Sequence, residues 1–209
     1  MPKTTLQNNA IKEQRAKEIL EASLRLFCEK GFDRVSINMI ADECNISHGL
    51  LYHYYQSKEE ILTSLNRTYL KELEINLIKL YKPGEKAEDY FKKALDYVLS
   101  YIQSSKTNTY YSNLFFQTTL NELNKNSAYM PLSPKLHSII YNAMKSIKKS
   151  STNVTAKDFD NLIIYALLLL EAYSGAQYKY PRLVRDEPKV DDILNFIKYG
   201  TQGSGHFDN

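Results

Sequence analysis

The groups from which catalysis or metal binding is built are sparse in this sequence. Its four histidines stand at 48, 53, 137 and 206 and its two cysteines at 28 and 44, and they form no metal-spaced set. There is no Gly-rich phosphate loop, nucleophile elbow or paired-carboxylate motif, so neither an enzyme nor a bound cofactor is expected. A different chemistry is concentrated in Ser47-His48-Gly49-Leu50-Leu51-Tyr52-His53-Tyr54-Tyr55. From here to residue 58 the only full charge is Lys58. A merely solvated helix carries more Glu and Lys. Hydroxyls, imidazoles and phenols without carboxylates suit a surface that meets phosphates and base edges.

Such side chains need a rigid mount, and the residues before them supply one. Ser36 can cap a short helix, Ile37 to Glu43, and Ser47 can cap the next, which ends near Tyr54. Two helices crossing near a right angle need a small residue at their closest approach, and Ala41 is placed for that. Four residues on the chain must turn sharply; Asn45 tolerates positive φ better than any residue except glycine. Ile37, Ile40, Cys44, Ile46 and Leu51 then lock the pair together and onto a preceding helix of about 11–30, whose Ala16, Ile19, Leu20, Leu24 and Phe27 share one stripe. The spacing predicts a helix-turn-helix over about residues 36–54.

The rest of the chain reads as helical too. Glycine and proline are few, seven and six in 209 residues, and apolar residues recur mostly at three- and four-residue spacing. Residues 1–10 read as a frayed polar arm. Ser57-Lys58-Glu59-Glu60 has the S-x-x-E form of a capping box and opens a helix to Tyr81, closed by Pro83-Gly84. Further helices are expected at about 85–104, 110–124, 134–150, 156–178 and 189–200, nine in all, with a flexible tail at 202–209. The net charge of +3 decides nothing about partners. The cysteines are expected as buried, reduced thiols. No secretion signal is read at the N-terminus, and the longest apolar run, Leu162 to Leu170, is about half a bilayer span, so a cytoplasmic protein is the expectation.

Residues 11–60 resemble the DNA-binding domain of the TetR family of bacterial transcriptional regulators. The resemblance is carried by Leu26-Phe27 with Lys30-Gly31-Phe32, by Ile40-Ala41, and by Ile46 to Tyr55 followed by Ser57-Lys58-Glu59-Glu60. It implies an all-α protein: a three-helix DNA-binding domain in residues 1–56 joined to a larger helical bundle, 57–201, for ligand binding and dimerisation. It also implies that Ser36, Ile37 and Asn38 lie against the DNA backbone. Ser47, His48, Gly49 and Leu50 would enter the major groove, while Tyr52 and Lys58 bind phosphates. Two departures bear on His48, His53 and Tyr54. His48 stands where a lysine is common, and His53-Tyr54 reverses the aromatic-then-His order often seen, which leaves the contacts of that pair open.

The resemblance further implies a homodimer through the last two long helices, about 156–178 and 189–200, a palindromic double-stranded DNA operator, and release by a small, partly hydrophobic effector. The outcome would be repression; an activator, or an interaction scaffold with no small-molecule inducer, is the alternative. For the effector only composition speaks. Tyr97, Tyr101, Phe115, Phe116, Tyr141 and Tyr165 can line an aromatic pocket with polar tips, although ordinary core packing competes for each. No cluster of charge in the sequence assigns the ligand a sign.

Overall fold

The computed structural model describes residues 5–125, 133–148, 156–180, 182 and 190–191. Among the described residues there are eight α-helices and no strand. The chain begins with α1 (Thr5–Lys30), a single 3₁₀ turn at Phe32–Arg34, α2 (Ile37–Glu43), α3 (His48–Tyr52) and α4 (Lys58–Leu80). It continues with α5 (Ala87–Ser104), α6 (Lys106–Lys125), α7 (Pro134–Lys148) and α8 (Ala156–Lys179).

Local chemistry sets most of these boundaries. Gly31 ends α1 with φ 84°, a conformation costly to any side chain. The Oγ atoms of Ser36, Ser47 and Ser57 accept the backbone N–H of Met39, Leu50 and Glu60, each at 3.2 Å, and so cap α2, α3 and α4. Glu60 completes its box one residue early: its carboxylate takes the N–H of Gln56 at 2.7 Å.

Two starts differ from the sequence expectation. Residues 5–10 hold no glycine or proline, and α1 continues back through them to Thr5, with residues 7–14 exposed on every side. The helix expected from 110 starts at Lys106. Ser105 alone interrupts the chain between α5 and α6, in extended conformation, and its Oγ accepts Asn108 N–H at 3.1 Å. The last expected helix, 189–200, lies outside the described residues apart from 190–191, as does the tail.

The apolar residues form two cores. The first gathers Ile19, Leu24 and Phe27 of α1, Ile40 and Ala41 of α2 and Leu51 of α3, together with Ile61 and Leu65 of α4 and Tyr110 and Leu114 of α6. The second joins Tyr69, Leu73 and Leu77 of α4 to Val98 and Ile102 of α5, Phe115 and Phe116 of α6 and Leu136 of α7. On α4 every fourth residue from Ile61 to Leu77 is buried, so this one helix runs through both.

Polar contacts tie the ends together. Tyr178 of α8 donates its hydroxyl to the Cys28 carbonyl at 2.8 Å, and Tyr110 donates to a Glu29 carboxylate oxygen at 3.3 Å. The cysteines are free but half-buried rather than buried. Burial, with Glu29 beside it, pushes the Cys28 thiol up to about 12. No helix among the described residues is long and apolar enough to cross a membrane.

Candidate nucleic-acid interface

The reversal between α2 and α3 takes place at Asn45, whose φ of 51° is the only positive value on a non-glycine among the described residues. Its N–H bonds Asp42 O at 3.0 Å and the next N–H, of Ile46, bonds Ala41 O at 3.0 Å, which closes the end of α2. Ala41 is fully buried at the crossing, and Leu51 is fully buried beneath α3. With Leu51 pinned inward, Ser47, His48, Gly49, Leu50, Tyr52 and His53 are all exposed on one short element that carries no carboxylate.

Ser36 and Asn38 are exposed at the start of α2, whereas Ile37 is half-buried against the first core. Its side chain is held there, so a phosphate contact from Ile37 falls to its backbone N–H. The capping serines accept with an oxygen lone pair and keep their own hydroxyl hydrogens for a further acceptor. His48 Nε2 lies 3.3 Å from Asp42 Oδ1, so reading a base with that nitrogen requires giving up this contact. The neighbouring Glu43 is paired with Arg25. Tyr54 is half-buried and packs on the first core.

Lys58 shows a use that its sequence position did not reveal. Its ammonium donates to Phe32 O at 3.0 Å and Asp33 O at 3.3 Å and lies 4.5 Å from the centroid of the Phe32 ring. It fastens the start of α4 to the turn after α1 and retains one N–H for a phosphate. Tyr52, in contrast, is 43% exposed, and among the described residues the side-chain contact recorded for it is at its backbone carbonyl, which accepts Gln56 Nε2–H at 2.7 Å.

The two substitutions therefore have different signatures. Tyr52→Ala should leave stability within about 0.5 kcal/mol, weaken binding similarly on all DNA sequences and flatten the salt dependence. Lys58→Ala should also lower the urea midpoint, since two carbonyls lose a charged donor worth about 1.5–3 kcal/mol. Mobility shifts at several salt concentrations and urea melts check both; unchanged affinity for Tyr52→Ala would rule out its phosphate role.

Gly49 is informative because the free protein does not require it. A Cβ built there meets nothing within 4 Å, and its φ is not positive. Inside a helix glycine costs about 0.8–1.0 kcal/mol relative to alanine. Gly49→Ala should therefore raise the melting temperature while it weakens DNA binding, because the added methyl stands where the duplex would approach. Tighter or equal binding by the alanine variant would exclude close approach at this position.

The ligand candidates separate. Tyr97, Tyr101, Phe115 and Phe116 all belong to the second core, around Tyr69, whose ring lies 5.6 Å from Tyr101, 4.7 Å from Phe115 and 6.2 Å from Phe116. Tyr69 was not foreseen as the centre of this cluster, although it shares a stripe with Leu65 and Leu73. Tyr141 instead stacks on His137 of its own helix, with 6.4 Å between centroids. The Tyr165 side chain lies outside the described residues.

This arrangement has known counterparts. Residues 19–65 match the family described as bacterial regulatory proteins, tetR family. Among curated proteins, the chain is 32% identical over 83 residues to the uncharacterized HTH-type transcriptional regulator YuxN of Bacillus subtilis (strain 168); this is 40% of the chain and 28% of that protein. It is 36% identical over 62 residues to the HTH-type transcriptional repressor KstR2 of Rhodococcus jostii (strain RHA1), 30% of each. The chain thus spans under a third of the length of these two relatives.

Similarity in fold extends further. A TetR-like transcriptional regulator from Rhodococcus sp. RHA1 superposes with a TM-score of 0.64 at 19% identity, covering 91% of this chain and 97% of that one. Thermus thermophilus FadR, a TetR family repressor solved with lauroyl-CoA, gives 0.55 at 17% identity, covering 93% and 98%. The signature of the tetR family of bacterial regulatory proteins thus lies on residues 19–65, the segment that presents α3, and the fold of TetR-like regulators extends over nine-tenths of the length.

Proposed function

We propose that this protein is a transcriptional repressor rather than an enzyme. In this reading it binds a palindromic operator as a homodimer in the cytoplasm and leaves it when a small, partly hydrophobic molecule occupies the helical bundle. Residues 1–56 form the reading head, and residues 57–201 respond to the ligand and dimerise. The observation that carries the proposal is the exposed, carboxylate-free face of α3 held over the fully buried Leu51. Fluorescence anisotropy on DNA from beside its own coding region, against scrambled DNA, tests it. The specific site should bind at least about 10³-fold more tightly; equal binding would remove the operator from the proposal.

Dimerisation is supported by Leu168 and Leu169 of α8, which are 45% and 37% exposed in the single chain. Light scattering at micromolar concentration should give twice the 24.2 kDa chain mass; a monomer would contradict the dimer. Ligand binding is supported by the tyrosine-rich second core, and a fold of this kind holds an acyl-CoA in the T. thermophilus protein. Release requires a ligand that prefers the non-binding conformation. A route to the head exists through Tyr110 of α6 and Tyr178 of α8, both bonded to α1.

A further inference from the structure

Glu72 stands on α4 beside a graded set of tyrosines. Tyr101 of α5 donates its hydroxyl to Glu72 Oε2 at 3.1 Å. The Tyr101 ring lies edge-on to Tyr69, 5.6 Å between centroids and 72° between planes, and 6.1 Å from the ring of Tyr97. Tyr69 is buried, Tyr97 and Tyr101 are half-buried and Glu72 is exposed, so the rings lead inward from a carboxylate at the surface.

Among the described residues that carboxylate has no counter-charge: no lysine, arginine or histidine is ion-paired with it. Its neighbours one helical turn away, Thr68, Tyr69, Ile75 and Asn76, include no base. The phenols around it do not supply one. Burial first, and then the Glu72 charge, hold the Tyr97 and Tyr101 hydroxyls above the ordinary tyrosine range, so they stay neutral. A negative group bordered by neutral, electron-rich rings attracts one class of small molecule. An ammonium or phosphonium gains from both the carboxylate and the ring quadrupoles, while an anion is repelled by both.

We propose that Glu72, Tyr97 and Tyr101 form a binding site for an organic cation bearing apolar groups, with the charge at Glu72 and the apolar groups on the tyrosine rings, and that this cation is the effector. The effector clause rests on the regulatory reading above; the site itself does not. An acyl-CoA, being anionic, would not be accepted at this position.

Two ions of nearly the same size and shape but opposite charge separate the possibilities. Isothermal titration of the full chain with tetraphenylphosphonium and with tetraphenylborate should show the phosphonium binding at least about tenfold more tightly. Glu72→Gln, which keeps the shape and removes the charge, should weaken the phosphonium about tenfold and leave the borate no weaker. Tyr97→Leu should weaken the phosphonium with Glu72 intact, and circular dichroism of both variants should show an unchanged helical fold. Equal affinity for the two ions, no binding of either at millimolar concentration, or an unaffected Glu72→Gln variant would overturn the site.

The effector clause is read separately by adding tetraphenylphosphonium to the protein–operator complex. Release of DNA by the wild type, at concentrations that do not release it from Glu72→Gln, supports the clause. Binding of the phosphonium without release overturns the clause and leaves the site. Failure of the ligand-free protein to prefer its operator would overturn the regulatory reading alone.

Discussion

Leu51→Ala should destabilise the protein by about 2–5 kcal/mol and abolish operator binding under conditions in which the wild type binds fully. Leu51 is fully buried, and it is the residue through which α3 is fixed to the first core. Truncation removes three carbons from a packed site and leaves a cavity that five short residues of helix cannot collapse to fill. The orientation of every exposed side chain on α3 depends on that anchor. The adjacent Leu50→Ala is the control. Leu50 is 39% exposed, so its truncation should change stability by no more than about 0.5 kcal/mol and affect only the DNA contact. Urea melts paired with anisotropy check both, and similar midpoints for the two variants would show that Leu51 does not anchor the helix.

The second large effect is expected at Tyr69, the ring on which the second core is organised. Tyr69→Ala should cost about 3–5 kcal/mol, since it removes contacts with Tyr101, Tyr111, Phe115 and Phe116 at once. Its hydroxyl lies 3.2 Å from Ser112 Oγ, and Ser112 is fully buried. Tyr69→Phe keeps the ring and leaves that serine short of a partner, at about 1–3 kcal/mol. The measurement is again the urea midpoint. If phenylalanine were as damaging as alanine, the hydrogen bond rather than the ring would hold the cluster.

The helix-turn-helix was legible because its determinants are local. Ser36, Ala41, Asn45, Ser47 and Leu51 fall within sixteen consecutive positions, and each acts on a neighbour a few residues away through a cap, a crossing, a turn or a packed face. The break after residue 104 is also local and is read from the sequence, but as a five-residue gap, 105–109; the Ser105 cap shortens it to one residue. Other features leave no periodic trace. Lys58 bonds carbonyls 25 and 26 residues away, Tyr101 reaches Glu72 across 29, and Tyr69 meets Ser112 across 43. Composition names the aromatic residues but cannot say that Tyr97, Tyr101, Phe115 and Phe116 share a core with Tyr69, or that the Glu72 carboxylate borders them. Tyr141 lies on a central helix in sequence, and that helix turns it toward His137.

The first core is not closed by the three helices that present α3. Ile61 and Leu65 come from α4, and Tyr110 and Leu114 arrive from a helix half the chain away. A fragment cut after residue 56 would face water with the apolar side of Ile19, Leu24 and Leu51, and below about 60 residues little other surface is available to compensate. The head is therefore not a detachable module. In evolutionary terms, recombination that exchanged residues 1–56 alone would sever the interior of the protein, whereas an exchange that carried α4 and the facing turns of α6 would move a complete folding unit.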